Sequence, residues 1–345
     1  MAYTTVDKST DFFTPTTYVG NGSEKTVTGI PFEPDMTWLK NRSAVGDNEI
    51  YDKLRGATYR IYPNTNGAQD ALAQGLKAWT SDGFTVGNNN AINGNGNNQI
   101  SWNWKMNGTG ASNTAGSINT TKTSANTTSG CALITYTGTG ANATIGHGLG
   151  IIPTFIIFRR YAQAENWNVY HQSIGNAKSL RLNETGAAAN DTTALNSATP
   201  TSSLISLGSS VNTNANGNPM IAWVFSDVQG FSKASSYVGN GSADGTFVYT
   251  GFKPAWVLIK DSGRSESWYI FDNKRLGYNG GMADLIANST AAESSSSATL
   301  LDLVSNGFKL RGTTDHLNGS GQNFIYMAFA EEPLVSTNGT PATAR

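Results

Sequence analysis

Trp167 and Trp268 are the residues whose type and setting point first to chemistry. Each opens a short apolar stretch, Trp167-Asn168-Val169-Tyr170 and Trp268-Tyr269-Ile270-Phe271-Asp272. An indole held at a surface covers a sugar ring with its apolar face while neighbouring Asn and Asp accept hydroxyls. Trp167, Trp268 and Asp272 are therefore the candidate glycan-binding residues. The alternative, that both indoles are core residues, stands beside this reading on equal terms. For Trp102, Trp104, Trp223 and Trp256 the core reading is favoured.

Other chemistry is thinly encoded. Three histidines, His147, His171 and His316, are scattered and form no His-x-x-x-His pattern, and Cys131 has no Cys-x-x-Cys partner. Its neighbours Ala132-Leu133-Ile134 place the thiol in a core. The glycines around His147 look like a phosphate loop, but no helix follows to present its N-terminus to an anion. No Gly-x-Ser-x-Gly elbow precedes a helix. Asp35, Asp82 and Asp272 lie in loops able to hold calcium, yet the alternating Asp/Asn pattern of a calcium loop is absent. The expectation is a protein without catalytic residues, metal or cofactor. A polysaccharide hydrolase is the enzymatic alternative, since two carboxylates can be brought together by a fold.

The elements that must position these residues come in three copies. Gly251-Phe252-Lys253-Pro254-Ala255-Trp256-Val257-Leu258-Ile259-Lys260 reads as a turn into a buried strand, because proline has no amide hydrogen to give and the residues after it are apolar and β-branched. Earlier versions surround Pro34 and Pro153. Tyr18, Tyr136 and Tyr237, each opening a Tyr-x-Gly-x-Gly turn, lie 16, 17 and 17 residues before these prolines. Each unit closes on an alternating aromatic strand ending at Trp104, Phe225 or Phe329, which lie 70, 72 and 75 residues after them. Landmarks kept in register over such distances mark a repeated unit. Short strands separated by Gly, Asn and Ser clusters then predict an all-β chain of three tandem antiparallel β-sandwich repeat domains, jelly-roll or lectin-like, with little helix.

The boundaries follow from composition. Residues 1–17 carry Phe12 and Phe13 and form an N-terminal docking arm, with these two rings as candidate assembly contacts on another subunit; a strand on the first unit is the equal alternative. Repeat one spans 18–108, with a helix or an irregular edge over 68–79 and an exposed Asn/Gly loop at 88–98. A polar linker covers 109–129, rich in Thr, Ser, Asn and Gly. Repeat two spans 130–227, a hinge 228–236, repeat three 237–333 with a helical turn or two around 283–293, and a C-terminal tail 334–345. The net charge of −1 leaves no footprint for nucleic acid or an anionic membrane, and no apolar run approaches a membrane span. Charged residues make up 14% of the chain, against about 25% in ordinary soluble proteins, the balance of a secreted or virion surface built from strands and polar turns. Met1 to Lys8 shows no signal-peptide core, so the expectation is a chain made in a cytoplasm that leaves it, if at all, by another route.

The stretch Tyr237 to Trp256, with Ser305-Asn306-Gly307-Phe308-Lys309-Leu310-Arg311, Tyr326-Met327-Ala328-Phe329-Ala330-Glu331 and Ile100-Ser101-Trp102-Asn103-Trp104-Lys105, resembles repeat-containing virion structural and tail-fibre-like proteins of marine tailed bacteriophages of the cyanophage and pelagiphage type. The resemblance implies a virion surface protein: a tail fibre or tail-associated appendage contributing to host attachment, with a capsid decoration or head-fibre protein as runner-up. It carries over no catalytic residue. Edge-rich domains and the aromatic arm further predict a homo-oligomer, a trimer by the usual symmetry of fibres and capsid sites, with other virion proteins and a host surface glycan as partners.

Overall fold

The computed structural model describes residues 3–275, 283–294, 300–336, 339 and 341. The chain is all-β and antiparallel. Unit one comprises β1 (Phe13–Val19), β2 (Lys25–Val27), β3 (Met36–Asn41), β4 (Glu49–Asp52), β5 (Tyr59–Arg60), β6 (Asp70–Ala71), β7 (Leu76–Thr80), β8 (Gly83–Val86), a single helical turn α1 (Asn90–Asn93) and β9 (Asn98–Trp104). Unit two comprises β10 (Lys122–Asn126), β11 (Cys131–Thr137), β12 (Ala143–Gly146), β13 (Pro153–Arg160), β14 (Asn168–His171), β15 (Lys178–Arg181), β16 (Ala189–Asn190), β17 (Leu204–Leu207), α2 (Val211–Asn214) and β18 (Pro219–Ser226). Unit three comprises β19 (Ser232–Val238), β20 (Phe247–Tyr249), β21 (Phe252–Asp261), β22 (Trp268–Asp272), β23 (Leu285–Ile286), β24 (Leu301–Val304), β25 (Gly307–Leu310), α3 (Asp315–Asn318) and β26 (Asn323–Pro333).

One strand order recurs in the large sheets: β1-β9-β3-β4, then β11-β18-β13-β14 within a seven-stranded sheet, then β19-β26-β21-β22-β23. Small sheets, β2-β8-β7, β12-β17 and β20-β25-β24, are formed by the intervening strands. The proline-led strand lies centrally, and the register Met36↔Trp104, Phe155↔Phe225 and Trp256↔Phe329 sets one of its large apolar residues opposite the last aromatic of the closing strand. Pro254 sits where the β21–β26 register shifts, so its missing amide hydrogen leaves no ladder bond unmade.

The landmark turns are fold devices. The hydroxyl of Tyr18 donates to the Ile92 carbonyl (2.6 Å), that of Tyr237 to Leu317 (2.7 Å) and that of Tyr136 to Thr213. The next residue in each case, Asn93, Asn214 or Asn318, is fully buried. Its Oδ1 accepts the amide of Asn21, Thr139 or Asn240, and its Nδ2 donates to the carbonyl of Gly87, Gly208 or Gly312. The first turn glycine is required because a Cβ on Gly20, Gly138 or Gly239 would lie 2.2, 2.3 or 2.4 Å from the carbonyl oxygen of Gly94, Ala215 or Gly319, the residue that follows the short helical segment.

The central strands are buried on both faces, and this organises the molecule. On one face Leu39 of β3 meets its unit's small sheet in a core with Val27, Phe84 and Ile92, as Ile156 and Phe158 of β13 do with Ile145 and Ile205. On the other face Met36 and Trp38, Phe155 and Ile157, and Trp256 and Leu258 enter one cluster drawn from all three units. At its centre Phe225 and Phe329 lie 5.6 Å apart, Trp104 and Trp256 5.7 Å, Trp104 and Phe329 5.7 Å, and Phe13 stacks on Phe329 at 4.9 Å.

The units accordingly close into a circle, and the picture of separate sandwiches in series is corrected. The loop after each proline-led strand bonds the backbone of another unit: Gly46 to Thr290 and Glu293 to Arg42, Gln69 to Tyr161 and Glu165 to Asn66, Ala188 to Ser262 and Glu266 to Thr185, all at 2.7–3.0 Å. Boundary expectations change with it. The docking arm is not free, since its last residues are β1 paired along β9, with Phe13 in the shared core and Phe12 edge-on to Phe231 at 6.0 Å. The polar linker contributes β10, bound to β11, and Ile118 bridges Ile145. The hinge is largely β19; the stretch 68–79 takes the irregular-edge alternative, with β6, a turn and the edge strand β7, whose register shifts between Leu76 and Ala78; and Leu285–Ile286 is strand rather than helix. The Asn/Gly loop holds α1 and the buried Asn93. The tail lies mostly outside the described residues.

Candidate functional site

The three residues proposed to bind glycan are interior. Trp167 and Trp268 are 0% and 1% exposed, and Asp272 is 0% exposed, so no sugar ring can reach them. Both indoles lock one unit to the next. Trp167 Nε1 donates to the carbonyls of Tyr62 and Thr65 (3.1 and 3.0 Å) in unit one, and Trp268 Nε1 donates to that of Arg181 (2.9 Å) in unit two. Unit one carries Asn48 at the corresponding place, and its Nδ2 reaches the carbonyls of Ala287 and Ser289 in unit three. Asp272 is spent on Arg275 Nε (2.7 Å), the Trp102 indole (3.1 Å) and the Lys274 amide. The core reading of the tryptophans is the correct one.

A row of buried cations accompanies these contacts, and two of its members, Lys40 and Arg159, also reach a neighbouring unit. Lys40, Arg159 and Lys260 stand at one register position, opposite Ile100, Ile221 and Ile325, and all are 0% exposed. Each is held by backbone carbonyls: Lys40 by Gly46 and Ser289, Arg159 by Asn66 and Gly67, Lys260 by Asp261 and Arg264. Burial lowers the two lysines to about 8.

The groups that sequence reasoning weighed for catalysis or metals are separate. Burial pushes the Cys131 thiol up to about 12, leaving it un-ionised and inert at neutral pH. His171 is fully buried; its Nε2 faces the Tyr326 carbonyl at 3.0 Å while Nδ1 accepts the Ser173 amide, and burial lowers its pKa to about 4. His147 is likewise enclosed, its Nδ1 accepting the Leu149 amide. Among the described residues no group of three His, Cys, Asp or Glu could hold a metal. Asp35 is paired with Lys53 (2.8 Å) and Asp272 with Arg275, so neither offers a calcium cage.

Open chemistry lies in surface clefts. One of about 450 Å3 follows the seam of units two and three, lined by Ser173, Lys178, Ser236, Ser262 and Asn323. Another of about 380 Å3 lies beside β20, where Tyr3, Tyr249, Asp227, Gln229, Lys233 and Thr250 meet. In this second cleft the Tyr3 hydroxyl donates to the Gly251 carbonyl (2.7 Å) and lies 3.3 Å from the Tyr249 hydroxyl. Lys233 Nζ donates to the Tyr249 carbonyl (3.0 Å) and sits 5.4 Å from that ring's centre. Asp227 Oδ1 accepts the Ala234 amide and the Thr154 hydroxyl, both at 2.8 Å. The cleft has one carboxylate, whereas glycosidic hydrolysis uses two. Alternation in Phe247-Val248-Tyr249 was the sequence signal for it: Val248 points inward and the two rings outward, 44% and 48% exposed.

No curated protein matches the chain. One family does match, over residues 8–333, a span that takes in all three units and their common core. The chain belongs to the family described as Domain of unknown function (DUF7483).

Proposed function

We propose that the protein is a structural component of a tailed bacteriophage particle, a tail fibre or tail-associated surface part that contributes to host attachment. The motif likeness over Tyr237 to Trp256 and its counterparts carries the reading. Supporting it, the polar residues that recur in all three units, such as Asn93, Asn214 and Asn318, are spent on the fold, as suits a building block. The shared core means that repetition widens a block rather than lengthening a shaft, which favours a part seated on the tail or on the shell. Capsid decoration is the second reading for that reason. Self-association into a trimer belongs to the proposal. It no longer rests on Phe12 and Phe13, but on β1 and β19, which end their sheets where β11 is covered by β10.

Quantifying the protein against the major capsid protein in purified particles tests the reading. Roughly tens of copies indicate a tail part and roughly hundreds a decoration protein, as expected from symmetric assembly. Absence from particles would end the virion reading.

A further inference from the structure

The aromatic pair on β20 is not demanded by the fold. Val27, Ile145 and Val248 occupy one inward position in the three small sheets, paired with Phe84, Ile205 and Phe308. The flanking outward positions are Thr26 and Thr28 in unit one, and Thr144 and Gly146 in unit two, where the chain around Ser117 and Ile118 bonds alongside. Only unit three places aromatic rings there, Phe247 and Tyr249, side by side on a solvent-facing strand and separated by about 7 Å as alternate strand residues are.

The cleft beside Tyr249 narrows what could cover those rings. An anion is disfavoured by Asp227, and Lys233 already donates to the Tyr249 carbonyl. A metal would have one carboxylate to bind it. An apolar peptide would desolvate Asp227, Gln229 and Lys233 without replacing their water. A sugar suits all of these groups: its C–H face packs on an aromatic ring while its rim of hydroxyls meets carboxylate, amide and hydroxyl groups. Asp227 Oδ2 has only a 3.4 Å contact with Gln172 Nε2, so it retains acceptor capacity beside the ring.

We propose that this cleft is a carbohydrate-binding site, with a pyranose ring seated on Tyr249, a second ring of an extended glycan reaching Phe247, and Asp227 and Gln229 holding hydroxyls. The inference deepens the attachment reading above, and its test is independent of particle assembly. Saturation-transfer NMR on the full chain with methyl glycosides of glucose, galactose, mannose and N-acetylglucosamine should show transfer to ring C–H protons of at least one. Tyr249→Ala should weaken that binding about tenfold, the factor that corresponds to 1.4 kcal/mol, and Asp227→Asn should weaken it as well. Thr28→Ala, at the matching place in unit one, should leave it unchanged, and an unaltered urea midpoint for Tyr249→Ala would show that the fold is intact. No transfer to any of the four sugars, or equal affinity in the Tyr249→Ala chain, overturns the proposal. Either result leaves the copy number in particles untouched, so the virion reading stands or falls separately.

Discussion

His171 offers a test of the joint between units two and three. In units one and three the matching register position is Asp52 or Asp272, each paired with an arginine three residues on, Arg55 or Arg275. Unit two has histidine there, packed edge-on against Phe155 at 5.9 Å and facing the Tyr326 carbonyl of unit three. Burial holds the folded imidazole neutral, down to about 4, whereas the unfolded chain takes its proton near 6.5. Between these values the unfolded state binds more protons, so stability is complete above about pH 6.5, falls as pH drops, and has lost the whole contribution below about pH 4. The interval of roughly 2.5 units at 1.36 kcal/mol each amounts to about 3 kcal/mol. His171→Gln keeps an amide donor for Tyr326 and removes the titration. Urea unfolding at a series of pH values from 7.5 to about 4 should show the wild-type chain losing about 3 kcal/mol more than the variant. His147 and His316, whose pKa values are also lowered by burial, contribute to both proteins and cancel in the difference. Parallel pH profiles would refute a buried neutral imidazole at this joint.

Three further outcomes follow from the packing. Trp268→Ala should cost about 3–5 kcal/mol in chemical denaturation, as expected for emptying a buried indole site, without altering sugar binding in the β20 cleft. Asn93→Ala, Asn214→Ala and Asn318→Ala should each cost about 1–3 kcal/mol, because each leaves a buried amide and buried carbonyls unsatisfied; a near-neutral result at all three would show that the clamp is dispensable. Unit one expressed alone as residues 12–108 should lack fixed near-ultraviolet circular dichroism and bind a hydrophobic dye, since Trp38 and Trp104 would lose the cover that Phe225, Trp256 and Phe329 provide. A cooperative unfolding transition from that fragment would count against the shared core.

Much of the local architecture was legible in sequence. The proline-led runs are β3, β13 and β21, the closing aromatic strands are β9, β18 and β26, and the tyrosine turns are real, because strand propensity, apolar patterning and glycine at crowded turns act over a few residues. A continuous apolar run such as Trp256-Val257-Leu258-Ile259 also announces burial on both faces. It cannot say what covers the second face. That cover comes from strands about a hundred residues away, so the circular closure, the common aromatic core and the strand character of the polar linker emerged only with the chain folded. The candidate site shows the same division. Trp167 and Trp268 have the composition of a sugar platform, yet carbonyls of Tyr62 and Arg181 in other units satisfy their indoles and close them off. Phe247 and Tyr249, unremarked beside the proline-led strand, are left side by side in water. By itself the sequence determined which residues form strands and turns, since those preferences are local. Which aromatic residues face solvent was decided by tertiary contacts, because burial depends on which distant surface arrives to exclude water.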